Sequence, residues 1–161
     1  MKRERINAVI SKLPQNFSIY GNLFAVTNRV QAAGDKYLDD ITMRQQYLLI
    51  CLALFDEYRP TLQELSAVFG SSYQNVKRMA NQLEKDGLLE IKQDTIDKRK
   101  IRIVLHEDKF TELTDETEEA SKNFMQDLFK GISEEDQTVL ANALVQMREN
   151  LNDIDREFFY I

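Results

Sequence analysis

The chain has 161 residues, of which 43% are hydrophobic and 30% charged, and its formal net charge is −6 at pH 7. This length allows one compact protomer with a sizeable core. No apolar run reaches about 18 residues and the first residues do not look like a secretory signal, so we expect a cytoplasmic protein without a membrane span. Only two prolines and five glycines interrupt the apolar-periodic segments, which predicts a mainly helical fold.

The negative charge is unevenly distributed along the chain. Residues 1–60 carry a net charge of +2, residues 61–105 carry +2 and residues 106–161 carry −10. Charges separated by more than a Debye length, about 8 Å at physiological ionic strength, are largely screened from each other. The acidic C-terminal part therefore does not exclude nucleic-acid binding by the middle of the chain.

The N-terminal part predicts an interrupted amphipathic helix. Apolar residues repeat at intervals of 4, 3, 4, 3 and 4 at Ile6, Ile10, Leu13, Phe17, Tyr20 and Phe24. Pro14 predicts a break near residues 12–13. The stretch 48–55 is almost fully apolar and predicts a buried helix, in which Cys51 is more simply a core residue than a redox sensor.

Residues 61–87 predict two short helices joined by a tight turn. Thr61 with Glu64 forms one capping box and Ser71 with Gln74 a second, and Gly70 and Gly87 follow as C-terminal stops. The second helix is thereby bounded to about 72–86. This arrangement is typical of a helix-turn-helix.

The register of the second helix separates an apolar face from a polar face. At 100° per residue, Val76, Met79, Ala80 and Leu83 fall within one arc and should be buried. The candidate reading residues on the other side of the helix and at its start are Ser72, Gln74, Asn75, Lys77, Arg78 and Asn81. Amide and cationic side chains of these types can contact base edges and phosphates in a major groove.

Two β-rich runs, 88–92 and 101–105, follow and predict a hairpin. Between residues 92 and 102 there are five cations and two acids, and the candidate contact residues at the tip are Asp97, Lys98, Arg99 and Lys100. A basic ribbon after a reading helix predicts a winged helix-turn-helix that binds DNA. The plainer alternative is a solvated helix face beside an ordinary hairpin tip.

The C-terminal part predicts two long helices. Phe110, Leu113, Thr117, Ala120 and Phe124 form one stripe, which precedes a stop at Gly131. A helix capped by Ser133 follows, with a coiled-coil-like seam at Leu140, Leu144, Met147, Leu151, Ile154 and Phe158. Such a seam usually faces another helix, although it could pack against its own chain. Three amphipathic segments outside the winged helix favour a dimerisation domain built from both chain ends.

These motifs resemble the multiple-antibiotic-resistance regulator (MarR) family of bacterial transcription factors. The resemblance rests on the runs Ile41-Thr42-Met43-Arg44-Gln45, Leu83-Glu84-Lys85-Asp86-Gly87-Leu88-Leu89 and Asp97-Lys98-Arg99, and covers about residues 40–106 by motif. It implies a minor-groove role for Arg99, buttressed by Asp97. It also implies helical dimerisation parts at 1–40 and 107–161 flanking a DNA-binding module at 41–106.

The resemblance further implies a cleft for a small aromatic or anionic effector. Aromatic residues in the segments expected to line it are Phe17, Tyr20, Phe24, Tyr37 and Tyr47, which could equally fill the core. No catalytic residues, metal ligands or cofactor site are predicted, since His106 is the only histidine and lacks a partner at ligand spacing. The leading hypothesis is a homodimeric repressor of a palindromic operator, relieved by a small ligand. The alternative is a winged-helix adaptor that binds another protein.

Overall fold

The computed structural model describes the backbone of residues 8–38 and 40–159, and the side chains in those ranges up to residue 154. The elements are α1 (Gln15–Gly34), α2 (Met43–Ala53), α3 (Leu62–Phe69), α4 (Tyr73–Lys85), β1 (Leu89–Gln93), β2 (Ile101–Leu105), α5 (Glu107–Leu128) and α6 (Glu134–Phe159). This order confirms the predicted fold class, a mainly helical chain with one antiparallel hairpin. The chain divides into two compact units, one ending at Phe124 and one beginning at Met125.

The core of the first unit gathers the apolar faces of α2, α3, α4 and the hairpin. Its buried members include Leu48, Leu49, Leu52, Leu62, Leu65, Val76, Ala80, Leu83, Leu89 and Ile103. Cys51 is also buried here, and desolvation raises the pKa of its thiol. This is the core position that the sequence predicts for it, where a neutral thiol packs as a small hydrophobe.

The first unit contains the break that Pro14 predicts, after a helical stretch at residues 8–10. Residues 11–13 form a turn and α1 starts at Gln15, with Pro14 as its N-cap residue. The predicted apolar repeat continues into α1, although its first member, Ile6, lies outside the described residues. At the other end of α1, Gly34 is buried where the helix meets α2, and Asp35 Oδ1 accepts a hydrogen bond from Met43 N at 2.8 Å.

The hairpin is joined to the helix-turn-helix by backbone hydrogen bonds. Its strands pair from Leu89 opposite Leu105 to Gln93 opposite Ile101, and Ile103 N donates to Pro60 O at 3.0 Å. The first strand begins one residue later than predicted. Leu88 N instead donates to Leu83 O at 2.9 Å and so helps close the C-terminus of α4.

Helix α5 packs its predicted stripe on this core within the first unit. Phe110, Leu113 and Ala120 are partly buried against the core, and Phe124 is buried with its ring centroid 5.3 Å from that of Tyr37. Gln46 of α2 donates to both Thr117 Oγ1 and Ser121 Oγ. The predicted stripe of α5 therefore packs against the core of its own unit.

The second unit holds the end of α5 and the whole of α6. Gly131 has φ +81°, and Ser133 Oγ accepts a hydrogen bond from Asp136 N at 3.1 Å, so the predicted stop and cap are both confirmed. Among the described helices of the two units, none is long and apolar enough to cross a membrane.

Candidate nucleic-acid interface

The turn between α3 and α4 sets where the candidate reading helix begins. Gly70 ends α3 at φ +74°, and both its nitrogen and that of Ser71 donate to Ser66 O. This wrapping leaves Ser71 inside the turn, so Ser72 becomes the N-cap and its hydroxyl accepts from Asn75 N at 3.4 Å. The predicted Ser71–Gln74 capping box is therefore wrong, since the cap lies one residue later at Ser72, whereas the Thr61–Glu64 box is confirmed.

Helix α4 presents the two faces that its periodicity predicts. Val76, Ala80 and Leu83 are buried and Met79 packs partly buried beside them. On the other side and at the helix start, Ser72, Gln74, Asn75, Arg78 and Asn81 are exposed and Lys77 is half-buried. Amide and cationic groups thus lie together along one surface, where they can donate and accept hydrogen bonds.

The wing tip is organised around a pair of charged residues. Asp97 accepts hydrogen bonds from Arg99 through the backbone nitrogen at 3.2 Å and through Nε at 3.1 Å. Lys100 Nζ lies 3.9 Å from the same carboxylate, and the bonds from Arg99 lower the pKa of Asp97. The Arg99 side chain nevertheless remains 91% exposed. Asp97 thus orients the Arg99 guanidinium while the arginine side chain stays in solvent.

A second charged pair at the wing was missed by the sequence reasoning, which counted Asp94 and Arg102 only as local charges. The Asp94 carboxylate is buried and accepts hydrogen bonds from Ile96 N, Asp97 N and Arg102 Nε. An aspartate two residues before a turn nitrogen is a recognisable Asx-turn signal, so this half could have been found. The contact from Arg102 depends on tertiary placement.

A small cavity lies between the start of the helix-turn-helix and the wing. It has a volume of about 330 Å³, and its lining includes Gln63, Tyr73, Arg99, Lys100 and Arg102. The first residue of α4 and the basic wing tip therefore border the same space. The same border carries amide and phenol groups and the Glu64 carboxylate beside these cations.

An open groove of about 620 Å³ lies on another side of α4. Its lining includes Gln31 at the end of α1, Thr42 and Arg44 at the start of α2, and Asn75, Arg78 and Gln82 of α4. Arg44 also donates to Ser71 Oγ at 3.4 Å, with its guanidinium over the Phe69 ring. Two candidate reading residues, Asn75 and Arg78, therefore also border a groove that contains a second arginine.

The five aromatic residues of the predicted effector cleft do not border this groove. Phe17, Tyr20 and Phe24 are exposed on α1, and the last two rings contact each other edge to face. Tyr37 contacts Phe124 and Tyr47 contacts Phe69. The structure of a single chain therefore places four of these aromatics in three separate ring contacts and leaves Phe17 exposed on α1.

The predicted seam of α6 is largely exposed in the single chain. Leu140, Leu144, Leu151 and Ile154 are between 42% and 58% exposed, and Met147 is partly buried. The side chain of Phe158 lies outside the described residues. Helix α1 likewise exposes Phe17, Ile19, Tyr20, Leu23, Phe24 and Val26. Both helices thus present apolar side chains to solvent.

Comparison with known proteins identifies the fold. No protein-family model and no curated protein matches the sequence. Solved structures of transcription regulators do match, and the fold is the winged-helix fold of MarR-like regulators.

Three matching structures illustrate the similarity. An organohalide-sensing transcriptional regulator, RdhR, bound to 2,4-dichlorophenol is 20% identical with a TM-score of 0.72, over 87% of this chain and 83% of that one. BpsR of Bordetella bronchiseptica, whose DNA binding is regulated by 6-hydroxynicotinic acid, is 21% identical with a TM-score of 0.67, over 80% and 97%. A MarR transcriptional regulator of Methanosarcina mazei is 21% identical with a TM-score of 0.68, over 84% and 97%.

Proposed function

We propose that this chain is a non-enzymatic transcription regulator of the MarR type that binds a palindromic double-stranded DNA operator as a homodimer and represses transcription. The observation that carries the proposal is the coexistence, in one compact unit, of an exposed polar face on α4 and an exposed Arg99 on the adjoining wing. Helix and wing are the two elements with which winged helices contact the major and minor grooves.

The polar side chains of α4 form two chemical groups, one suited to base recognition and one suited to charge-assisted contacts with phosphate or guanine. Gln74 and Asn81 each carry a donor and an acceptor, the pattern that matches the adenine edge in a major groove. Lys77 and Arg78 carry positive charge for phosphate or guanine. Asp97, Lys98, Arg99 and Lys100 form the wing contact, in which Arg99 enters the minor groove, where negative potential is concentrated.

A homodimer accounts for the exposed apolar side chains at both ends of the chain. Leu151 is 58% exposed and Phe17 is 59% exposed, which is costly for such side chains in water. Association of residues 1–40 and 107–161 with those of a second copy would cover them. A two-fold dimer presents two copies of the DNA-binding module at 41–106, and therefore recognises two inverted half-sites.

Relief by a small aromatic or anionic ligand is the regulatory part of the proposal. Two regulators with this fold are described with 2,4-dichlorophenol and 6-hydroxynicotinic acid. The groove beside α4 offers two arginines, Arg44 and Arg78, to such an anion. The aromatic set predicted from the sequence is the alternative location. A ligand relieves repression only if it binds free protein more tightly than DNA-bound protein.

Selection from genomic DNA tests the proposal. The protein is mixed with sheared DNA of its source organism, bound fragments are sequenced, and their Kd is compared with that of scrambled fragments by fluorescence anisotropy. We expect enrichment of an inverted repeat whose half-sites lie about one helical turn apart. Equal affinity for enriched and scrambled DNA would contradict sequence-specific binding, and an absence of DNA binding would favour the protein-binding adaptor.

A further inference from the structure

The position of the wing tip depends on more than the two-stranded ribbon itself. A two-stranded hairpin is at best marginally stable alone, and its tip extends away from the core. Arg99, at that tip, has a side chain that is 91% exposed. The contacts that fix the wing tip relative to α4 therefore determine the position of the Arg99 guanidinium.

Asp94 orders the turn that carries Arg99. Its Oδ1 accepts hydrogen bonds from Ile96 N at 2.8 Å and Asp97 N at 2.7 Å. Its own nitrogen donates to Lys100 O at 3.0 Å, so both sides of the turn are attached to this residue. Since Asp97 in turn holds Arg99, the Asp94 carboxylate fixes the base of the arginine-bearing loop.

Arg102 connects this turn to the segment before α3. Its Nε donates to Asp94 Oδ2, its Nη1 donates to Arg59 O, and its guanidinium lies 5.6 Å from the centre of the Tyr58 ring. Tyr58 Oη donates to Glu64 Oε1 at 2.9 Å, and Glu64 belongs to the capping box of α3. A planar guanidinium can make these contacts at once, whereas an ammonium group on a flexible stem could not.

We infer that Arg102 is a positioning residue, which locks the wing to the helix-turn-helix so that Arg99 is held at the minor groove. This inference rests on the proposed DNA-binding function. The Arg102 side chain is only 30% exposed, its Nε donates to Asp94, and its Nη1 donates to Tyr58 Oη and Arg59 O. Its effect on DNA would therefore pass through Arg99.

The test compares Arg102→Met with a matched control. Methionine keeps an unbranched apolar side chain and removes the guanidinium donors. Lys92 is the cross-strand neighbour of Arg102 and pairs with Glu90 at 2.8 Å, so Lys92→Met removes one positive charge at the same height of the hairpin. A loss caused by net charge alone would appear in both variants.

A double-mutant cycle on operator affinity separates positioning from direct contact. We expect Arg102→Met to raise Kd about tenfold or more, as Arg99→Ala does, and to add little in the Arg99→Ala background. The salt slope should fall by about two in either single variant, one for each protomer of the proposed dimer, and no further in the double variant. Additive losses, a further fall in slope or unchanged affinity would overturn the inference.

A DNA-independent measurement keeps the inference testable if the proposed function fails. In free protein, Arg102→Met should speed amide hydrogen exchange at Ile96 and Asp97, while core amides such as that of Leu83 stay protected and Lys92→Met resembles the parent. Unchanged exchange at the wing would overturn the positioning role. A parent protein that binds no DNA would overturn the proposed function instead, and the two failures are thus distinguishable.

Discussion

Arg99 donates three hydrogen bonds to the carboxylate of Asp97: its backbone nitrogen and Nε donate to Oδ1 at 3.2 and 3.1 Å, and Nη2 donates to Oδ2 at 3.4 Å. The guanidinium is thereby aimed by a neighbour two residues away while its side chain stays exposed. An exposed ion pair of this kind contributes little to folding stability. Its consequence should appear in binding.

Arg99→Ala should weaken operator binding about ten- to a hundredfold, because it removes the cation proposed to enter a minor groove. Thermal unfolding should change little. Asp97→Ala should act in the same direction but less, since the arginine remains and only its buttress is lost. Fluorescence anisotropy with a selected operator measures both variants. Parental affinity in Arg99→Ala would show that the wing assignment is wrong.

Gln74→Ala should change base preference more than general affinity. If its amide pairs with an adenine, its removal costs about 1–3 kcal/mol at one base pair and relaxes the preference there. Lys77→Ala is the control, because loss of a phosphate contact should weaken binding on every sequence. Affinities for a panel of operators, each changed at one position, provide the measurement. A uniform loss in Gln74→Ala would make Gln74 a backbone contact.

Leu151→Asp should separate the proposed dimer into monomers or unfold it. The change places a carboxylate on the apolar seam of α6, where burial without a cationic partner costs several kcal/mol. Asn152→Asp adds the same charge to the exposed neighbouring position, off the seam, and should leave the dimer intact. Light scattering over a range of protein concentrations reports the mass. A Leu151→Asp protein that remains dimeric would show that the seam is not the interface.

Gly34→Ala should destabilise the first unit by about 1–3 kcal/mol through overpacking. A Cβ at this position would clash with Met43 Cγ, where α1 meets α2. Gly21 is the matched control, since a Cβ there meets nothing within 4 Å and alanine should stabilise α1 by about 0.5–1 kcal/mol. Urea unfolding of both variants gives the comparison. Equal stability of the two would contradict the tight contact at Gly34.

The Asp94 carboxylate in the wing turn should stay ionised and paired with Arg102 in moderately acidic solution. Hydrogen bonds from Asp97 N, Arg102 and Ile96 N lower the pKa of Asp94 to about 2. An unfolded aspartate titrates near 3.9, so this group contributes stability above about pH 4 that is lost as the pH falls through about 2. Carboxyl-detected NMR should follow this titration, and Asp94→Asn should remove its contribution. A midpoint near 3.9 for Asp94 would contradict the described geometry.

Local patterns predicted most of the fold correctly. Glycines at 70 and 87 adopt the positive φ values expected of helix stops, and apolar periodicity identified the buried Val76, Ala80 and Leu83. The cap at Ser71 failed because the choice between two adjacent serines depends on how the preceding helix unwinds. That unwinding is set by two hydrogen bonds to Ser66 O, which residue types alone do not specify.

The candidate site was less predictable where its contacts join residues that are distant in sequence. The pairing of Asp97 with Arg99 spans two residues and was expected from the motif. Arg102 reaches Asp94 across the hairpin and Arg59 across 43 positions of sequence, so no local spacing could identify it. The residues bordering the groove beside α4 come from three helices. Their proximity is likewise a consequence of packing rather than of periodicity.

Salt dependence of DNA binding tests the central claim most directly. Phosphate contacts release counterions, so log K should fall linearly with log salt concentration, with a slope of about −0.9 for each phosphate neutralised. We predict such a slope for the parent protein on both genomic and operator DNA, with tighter binding to the operator at every salt concentration. Binding that is absent, or that is independent of salt, would contradict the proposal that this winged helix binds DNA.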